Sequence, residues 1–228
     1  MTPGDLVRAA EVMRVGGVVA LPFNGIWALL GDLEQPAVHE RIVAAKRRSP
    51  AKRLAQVVLP ESAHQLVDFS RLAAPSDAVL GLWRSVHSLG VILPARPEID
   101  AQLGHIQPTD GSVLLVWTEY APLRTVLEHF RHLGGTALFG TPSNIAGQPT
   151  HTSIEHVWNA FFHDVDAIMA DDFSHLPASR RQSSSIIDLR GPEPMLCRQG
   201  SVSVAELQAA LALHGFGELV YSSSVAVS

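Results

Sequence analysis

The chain has 228 residues, 46% of them hydrophobic, which is enough to bury a core without disulfide or metal staples. Only 17% are charged and the formal net charge is −5. This argues against coating nucleic acid through overall charge, but it leaves room for a local basic site, because phosphate affinity follows the local field. The single cysteine, Cys197, excludes an internal disulfide and a cysteine-based metal cluster.

Met1 to Ala10 lacks the basic region and apolar core of a signal peptide. No apolar run approaches the roughly 20 residues that span a bilayer, so no membrane association is expected and a reducing cytoplasm is the expected compartment. A sparsely charged surface also suits coverage by a second copy, so a homodimer fits the composition.

In chain order, residues 4–14 read as a helix that Gly16-Gly17 ends. The apolar run Val18-Val19-Ala20-Leu21 reads as a strand buried on both faces, followed by a turn at Pro22-Phe23-Asn24-Gly25. A helix starting at Pro36 carries Val38, Ile42 and Ala45 on one face and ends in the cations Lys46-Arg47-Arg48. Leu54–Leu59 is the next strand, and residues 61–69 and 75–84 read as helices. Gly90–Leu93 and Ser112–Trp117 read as strands separated by a polar connection bearing Pro and Gly. Pro122–Leu133 is a helix and Thr136–Phe139 a strand. Thr152-Ser153-Ile154-Glu155 and Ser203-Val204-Ala205-Glu206 have the form of capping boxes, opening helices to about Phe162 and His214. Ala167–Ala170, Ser185–Leu189 and Met195–Cys197 are strand-like, and the last dozen residues read as a mobile tail. Strands and helices mix throughout with no long linker, which reads as one α/β domain around a mixed sheet.

Three segments carry candidate chemistry. Lys46, Arg47, Arg48, Lys52 and Arg53 fall within eight positions, with Pro50 stiffening the loop. Such a loop suits a phosphate or carboxylate clamp, and equally a solvated helix end. Gly140-Thr141-Pro142-Ser143-Asn144 follows a strand, where α/β sheets bind ligands, yet all these residue types also favour turns. Arg180, Arg181, Ser183, Ser184 and Ser185 suit phosphate oxygens, or a polar surface loop. None of the eleven histidines has the helical zinc spacing; His151 and His156, five apart, are expected on different helix faces, so no metal site is expected. Cys197 reads as a structural thiol.

Taken in order, these segments resemble the YrdC-like family of threonylcarbamoyl-AMP synthases over roughly residues 5–207. The resemblance rests on Lys46-Arg47-Arg48 with Lys52-Arg53-Leu54, Pro142-Ser143-Asn144-Ile145-Ala146-Gly147, Ser184-Ser185-Ile186-Ile187-Asp188 and Leu196-Cys197-Arg198-Gln199-Gly200, after the stretch Leu21–Leu29. It implies a single YrdC-like α/β domain over residues 1–215, with a twisted mixed sheet and helices around a concave basic cavity, and a flexible tail over 216–228. It implies ATP as a substrate, accompanied by Mg, with no tightly bound cofactor. It also implies a nucleotidyltransferase that forms threonylcarbamoyl-AMP from L-threonine, bicarbonate and ATP for tRNA modification. Lys46, Arg48, Lys52, Ser143, Asn144, Ser184 and Arg198 are then expected to bind nucleotide and phosphate.

Phe23 and Gly25 replace two family threonines, Trp27-Ala28 replaces Tyr-Gly, and Trp117 stands where an Arg is usual. The resemblance places Phe23, Asn24, Trp27 and Trp117 at the acceptor pocket, and these changes would make it bulkier and more apolar. Two functions are carried forward. One is a divergent enzyme forming a carbamoyl- or acyl-adenylate with an acceptor other than threonine. The other is a non-catalytic module binding a nucleotide, double-stranded RNA or tRNA through the same cations. A structural paralog without ligand is a third, weaker alternative. No catalytic residue is assigned.

Overall fold

The computed structural model describes residues 1–222. Thr2 caps the first helix, α1 (Pro3–Arg14), through a capping box with Asp5, and Leu6, Ala9, Ala10 and Met13 form its buried stripe. Strand β1 (Val19–Pro22) is buried along its whole length, as its unbroken apolar run requires. It turns back into β2 (Trp27–Asp32), a strand additional to those expected from the sequence.

The turn between them is a two-residue hairpin: Asn24 and Gly25 have φ of +47° and +102°, and the Phe23 N–H bonds the Ile26 carbonyl at 2.7 Å. A Cβ on Gly25 would lie 2.5 Å from the Arg180 carbonyl oxygen, so glycine is required both for conformation and for space. Arg14 at the end of α1 reaches the buried Asp32 at 2.6 Å, tying helix to strand.

Next come α2 (Pro36–Ala45), β3 (Ala55–Val57), α3 (Ser76–Ser85), β4 (Ser88–Pro94), α4 (Pro97–Gly104), β5 (Ser112–Thr118), α5 (Ala121–His132) and β6 (Leu138–Pro142). Then follow α6 (Ile154–Phe161), β7 (Ala167–Ile168), β8 (Ser185–Asp188), β9 (Met195–Arg198), α7 (Val204–Leu213) and β10 (Val220–Tyr221). The ten strands among the described residues join one twisted mixed sheet in the order β10-β9-β8-β4-β5-β3-β6-β2-β1-β7. The parallel pairs are β1–β7, β3–β5, β4–β8 and β9–β10; the others are antiparallel.

Several expectations change. The helix expected over 61–69 is a 3₁₀ segment, Pro60–Gln65. It stops because the Asp68 N–H bonds the Pro94 carbonyl and Val67 bridges Ala95, drawing the chain beside β4. Helix α4 was missed although Pro97 at its start and Glu98 and Asp100 in its first turn are start signals. The cap of α6 is Ser153, one residue later than expected, and receives the His156 N–H, so Thr152 and Glu155 form no box. The box at Ser203 and Glu206 is present. Within the expected tail, Val220–Tyr221 pairs with Met195–Leu196, and residues 223–228 lie outside the described part.

Candidate functional site

Three cavities meet at Arg198, which lines all of them. The outer one, about 380 Å³, has Pro149, Thr150, Arg181, Gln182, Ser183 and Gln199 in its wall. The middle one, about 210 Å³, is lined by Lys46, Arg48, Lys52, Thr141, Asn144 and Ser183 among others. The inner one, about 90 Å³, runs under the β1–β2 hairpin, against Phe23, Ile26, Val57, Val116 and Ile186. The middle cavity shares Thr150 and Ser183 with the outer one, and Arg48, Thr141 and Pro142 with the inner one. No carboxylate lines any of the three.

The sheet topology sets this convergence. Lys46 and Arg48 leave the C-terminal end of α2, and the Pro142–Asn144 turn leaves β6, whose neighbours are β2 and β3. Arg198 ends β9 and reaches back over β8, donating to the Ser184 carbonyl from Nε at 3.2 Å and from a terminal nitrogen at 2.8 Å. A Cβ on Gly200 would overlap the Ser183 carbonyl oxygen, so this return of the chain needs glycine.

Lys46 is buried, and its ammonium donates to the Pro142 carbonyl, to the Asn144 carbonyl at 2.6 Å and to Asn144 Oδ1 at 3.2 Å. Burial first, then the charge of Arg48, brings its pKa down to about 7. Arg48 donates to the Arg53 carbonyl at 2.6 Å and to Thr141 Oγ1 at 3.4 Å, while its Nε is buried without a partner. Burial lowers the pKa of Arg48 as well. Arg198 keeps exposed surface, yet its crowded surroundings lower its pKa, with Arg48 adding repulsion. Lys52 is exposed. Lys46, Arg48 and Arg198 are each held at a cost, and an anion between them would relieve it.

Lys46, Arg48, Lys52, Asn144 and Arg198 thus meet at the middle cavity, and Ser184 lines the inner one. Ser184 Oγ is 2.7 Å from Ser88 Oγ. Ser143 lies apart from them: it is fully buried, its Oγ has no partner among the described residues, and it lines none of the three cavities. Its N–H holds β2 at the Trp27 carbonyl instead. Thr150 and Ile26 line the site without having been singled out. Thr150 carries no sequence signal, whereas Ile26 follows from recognising Asn24-Gly25 as a hairpin.

Of the four residues expected at an acceptor pocket, Phe23 alone is in the lining of these three cavities. Strand alternation places Trp27 and Trp117 away from the inner cavity: Ala28 and Val116 face it, so their neighbours face the opposite side of the sheet. There Trp27 donates to the Met169 carbonyl at 2.8 Å and packs edge-on against Phe173, and Arg124 lies over the Trp117 ring. Asn24 secures the hairpin, donating to the His87 carbonyl at 3.2 Å.

Arg53 is committed elsewhere, to Asp110 at 2.5 Å and to Ser112. Burial raises the Asp110 pKa, but the bonds from Ser112 and Arg53 and the charges of Arg53 and Arg190 outweigh it and hold it at about 2. His151 precedes α6 rather than lying on it, so its ring comes within 6.0 Å of His156, contrary to the helical-spacing expectation. Burial first, then Asp188, raises the Cys197 pKa and keeps it a thiol.

The strand ends and turns of this α/β domain converge on a cation-lined cavity whose lining holds no carboxylate. The Sua5, YciO and YrdC family model, described as "Telomere recombination", matches residues 11–200, and the chain belongs to that family. Curated relatives named threonylcarbamoyl-AMP synthase include one from Pseudomonas aeruginosa, 29% identical over 79% of this chain and 90% of the relative. Another, from Alkalilimnicola ehrlichii, is 30% identical over 68% of this chain and 77% of the relative. The fold matches P. abyssi Sua5 complexed with L-threonine at a TM-score of 0.78 and 20% identity, covering 96% of this chain and 60% of that one. It matches E. coli YciO at 0.71 and 16% identity, covering 90% of this chain and 94% of that one. The chain thus spans less than two thirds of the Sua5 chain. Among the described residues no helix is long and apolar enough to cross a membrane.

Proposed function

We propose that this protein binds ATP and forms a carbamoyl-adenylate by the reaction type for which its curated relatives are named. The observation that carries this reading is the middle cavity, where Lys46, Arg48, Lys52 and Arg198 surround a space without a carboxylate. The outer cavity has room for the nucleoside, the middle one for the triphosphate and the inner one for the acceptor. An amine and bicarbonate give an N-carboxylate and water. One oxygen of that carboxylate then attacks the α-phosphorus of ATP, and pyrophosphate leaves. Fixed cations stabilise the charge that develops on the departing pyrophosphate. Mg accompanying ATP meets no carboxylate in the lining, so phosphate oxygens and water would be its ligands. The adenylate would serve tRNA modification.

The test is pyrophosphate release from ATP and bicarbonate across a panel of amino acids, beginning with L-threonine, the ligand of the Sua5 complex. Turnover with any amino acid supports the reading. Absence of turnover together with no ATP-induced rise in Tm sinks it. A second reading, nucleotide or RNA binding without turnover, draws support from Lys46 and Arg48 already donating to protein carbonyls. It predicts an ATP-induced rise in Tm, or salt-sensitive RNA binding, with no pyrophosphate.

A further inference from the structure

Helix α6 carries a surface that the three cavities do not use. Val157 and Phe161 are fully buried and hold the helix to the core. Glu155, Trp158, Asn159 and Phe162, spaced i, i+3, i+4 and i+7, fall on the opposite, exposed face. Trp158 and Phe162 are 49% and 48% exposed, so about half of each of two large rings is left in water. The rings stack on each other at 4.7 Å between centroids and 25° between planes, and His163 meets Phe162 edge-on at 4.5 Å. Rings already held against one another lose little freedom on contact, and aromatic residues of this kind supply the energetic centre of protein interfaces.

The charges around the ring pair say what fits it. From Ser153 to Asp172 the chain carries Glu155, Asp164, Asp166, Asp171 and Asp172 and no lysine or arginine. Arg41 pairs with Asp166 at 2.7 Å, and the Tyr120 hydroxyl donates to Asp171. Glu155 in the first turn of α6 and Asp164 just past its end are both exposed and bracket the rings. A nucleic acid or an anionic membrane would be repelled here. A second copy pairing through α6 would bring the same carboxylates into the same interface. A segment with an apolar centre and cations on either side satisfies rings and carboxylates together, and a guanidinium can also lie over the Trp158 face.

We propose that the outer face of α6 docks a protein partner through a basic amphipathic helix. Its aliphatic side chains cover Trp158 and Phe162, and its Arg or Lys residues meet Glu155 and Asp164. This surface is opposite in charge to the cation-lined cavities, and the proposal does not depend on the adenylate-forming reading.

The experiment measures binding of a labelled amphipathic helical peptide built from leucine and arginine, by fluorescence anisotropy. Two control peptides accompany it: the same residues in an order with no apolar face, and glutamate in place of arginine. The expected result is that the first peptide binds at least about tenfold tighter than either control. Trp158→Ala should weaken it by about tenfold or more, as for a residue at the centre of an interface. Glu155→Lys combined with Asp164→Lys should reverse the preference toward the glutamate peptide. Equal binding of the reordered peptide, or full binding by Trp158→Ala, overturns the proposal, because attraction by overall charge then explains both. A concentration-dependent dimer that Trp158→Ala abolishes overturns it in favour of a second copy. Binding of tRNA or of anionic vesicles that Trp158→Ala abolishes overturns it as well. Should Trp158→Ala fail to fold, the charge-inverted variant, which keeps both rings, decides by whether the peptide preference reverses.

Discussion

The middle and inner cavities are built by opposite rules although they share Arg48 and Arg198. In the middle cavity the cations are fixed before any ligand arrives. Lys46 is tied to the Pro142–Asn144 turn, Arg48 to the Arg53 carbonyl and Arg198 to the Ser184 carbonyl. In the inner cavity the walls are apolar side chains set by strand alternation and by one Asn-Gly hairpin. The difference teaches how one site divides its work. Fixed positive charge suits an anion whatever is attached to it, whereas a largely apolar wall discriminates by shape.

The largest test of this contrast is Arg198→Ala, since Arg198 borders all three cavities. ATP binding measured by calorimetry should weaken by about 10- to 100-fold, the usual effect of losing hydrogen bonds to a charged group. An unchanged affinity would remove the middle cavity as the phosphate site. Gly25→Ala should act through the hairpin instead. It places a side chain at φ +102° against the Arg180 carbonyl, so urea unfolding should show a loss of about 1–3 kcal/mol. Full stability in that variant would mean that the hairpin end is soft rather than fixed.

A third, smaller effect is pH dependence, read with sulfate, whose charge is constant in this range. With its pKa at about 7, Lys46 is protonated and attractive to anions below that pH and becomes neutral above it. Sulfate binding should therefore weaken several-fold between pH 6 and pH 8, and Lys46→Arg should flatten the profile, because arginine stays charged. A flat profile in the unaltered protein would contradict the assignment. The smallest effect belongs to Lys52→Ala. Its side chain is exposed, so ATP affinity should fall by about threefold or less, consistent with about 1 kcal/mol or less for an exposed charge.

The core elements were legible where one physical signal dominated. Val18–Leu21 could only be a buried strand, and Pro36 with its apolar stripe could only start a helix. The residues lining the middle cavity were legible as a group because Lys46, Arg48, Lys52, Asn144 and a late Arg198 recur in order. Their three-dimensional meeting was not, because it depends on β6 lying between β2 and β3 and on β9 folding back on β8. The positions of Trp27 and Trp117 are not legible because a residue's neighbourhood in sequence does not say which sheet face it takes. Alternation fixes that only once a partner such as Ala28 or Val116 is located. Ser143 is hidden from sequence for a related reason: a turn residue that looks available is fully buried, with its N–H bonded to the Trp27 carbonyl of β2.

A crystal structure of the protein with ATP tests the central claim most directly. The account predicts the β- and γ-phosphates in the middle cavity, within hydrogen-bonding distance of Arg48 and Arg198, with the inner cavity left open beneath Phe23 and Ile26. Phosphates bound away from these two arginines, or an adenine ring filling the inner cavity, would contradict it.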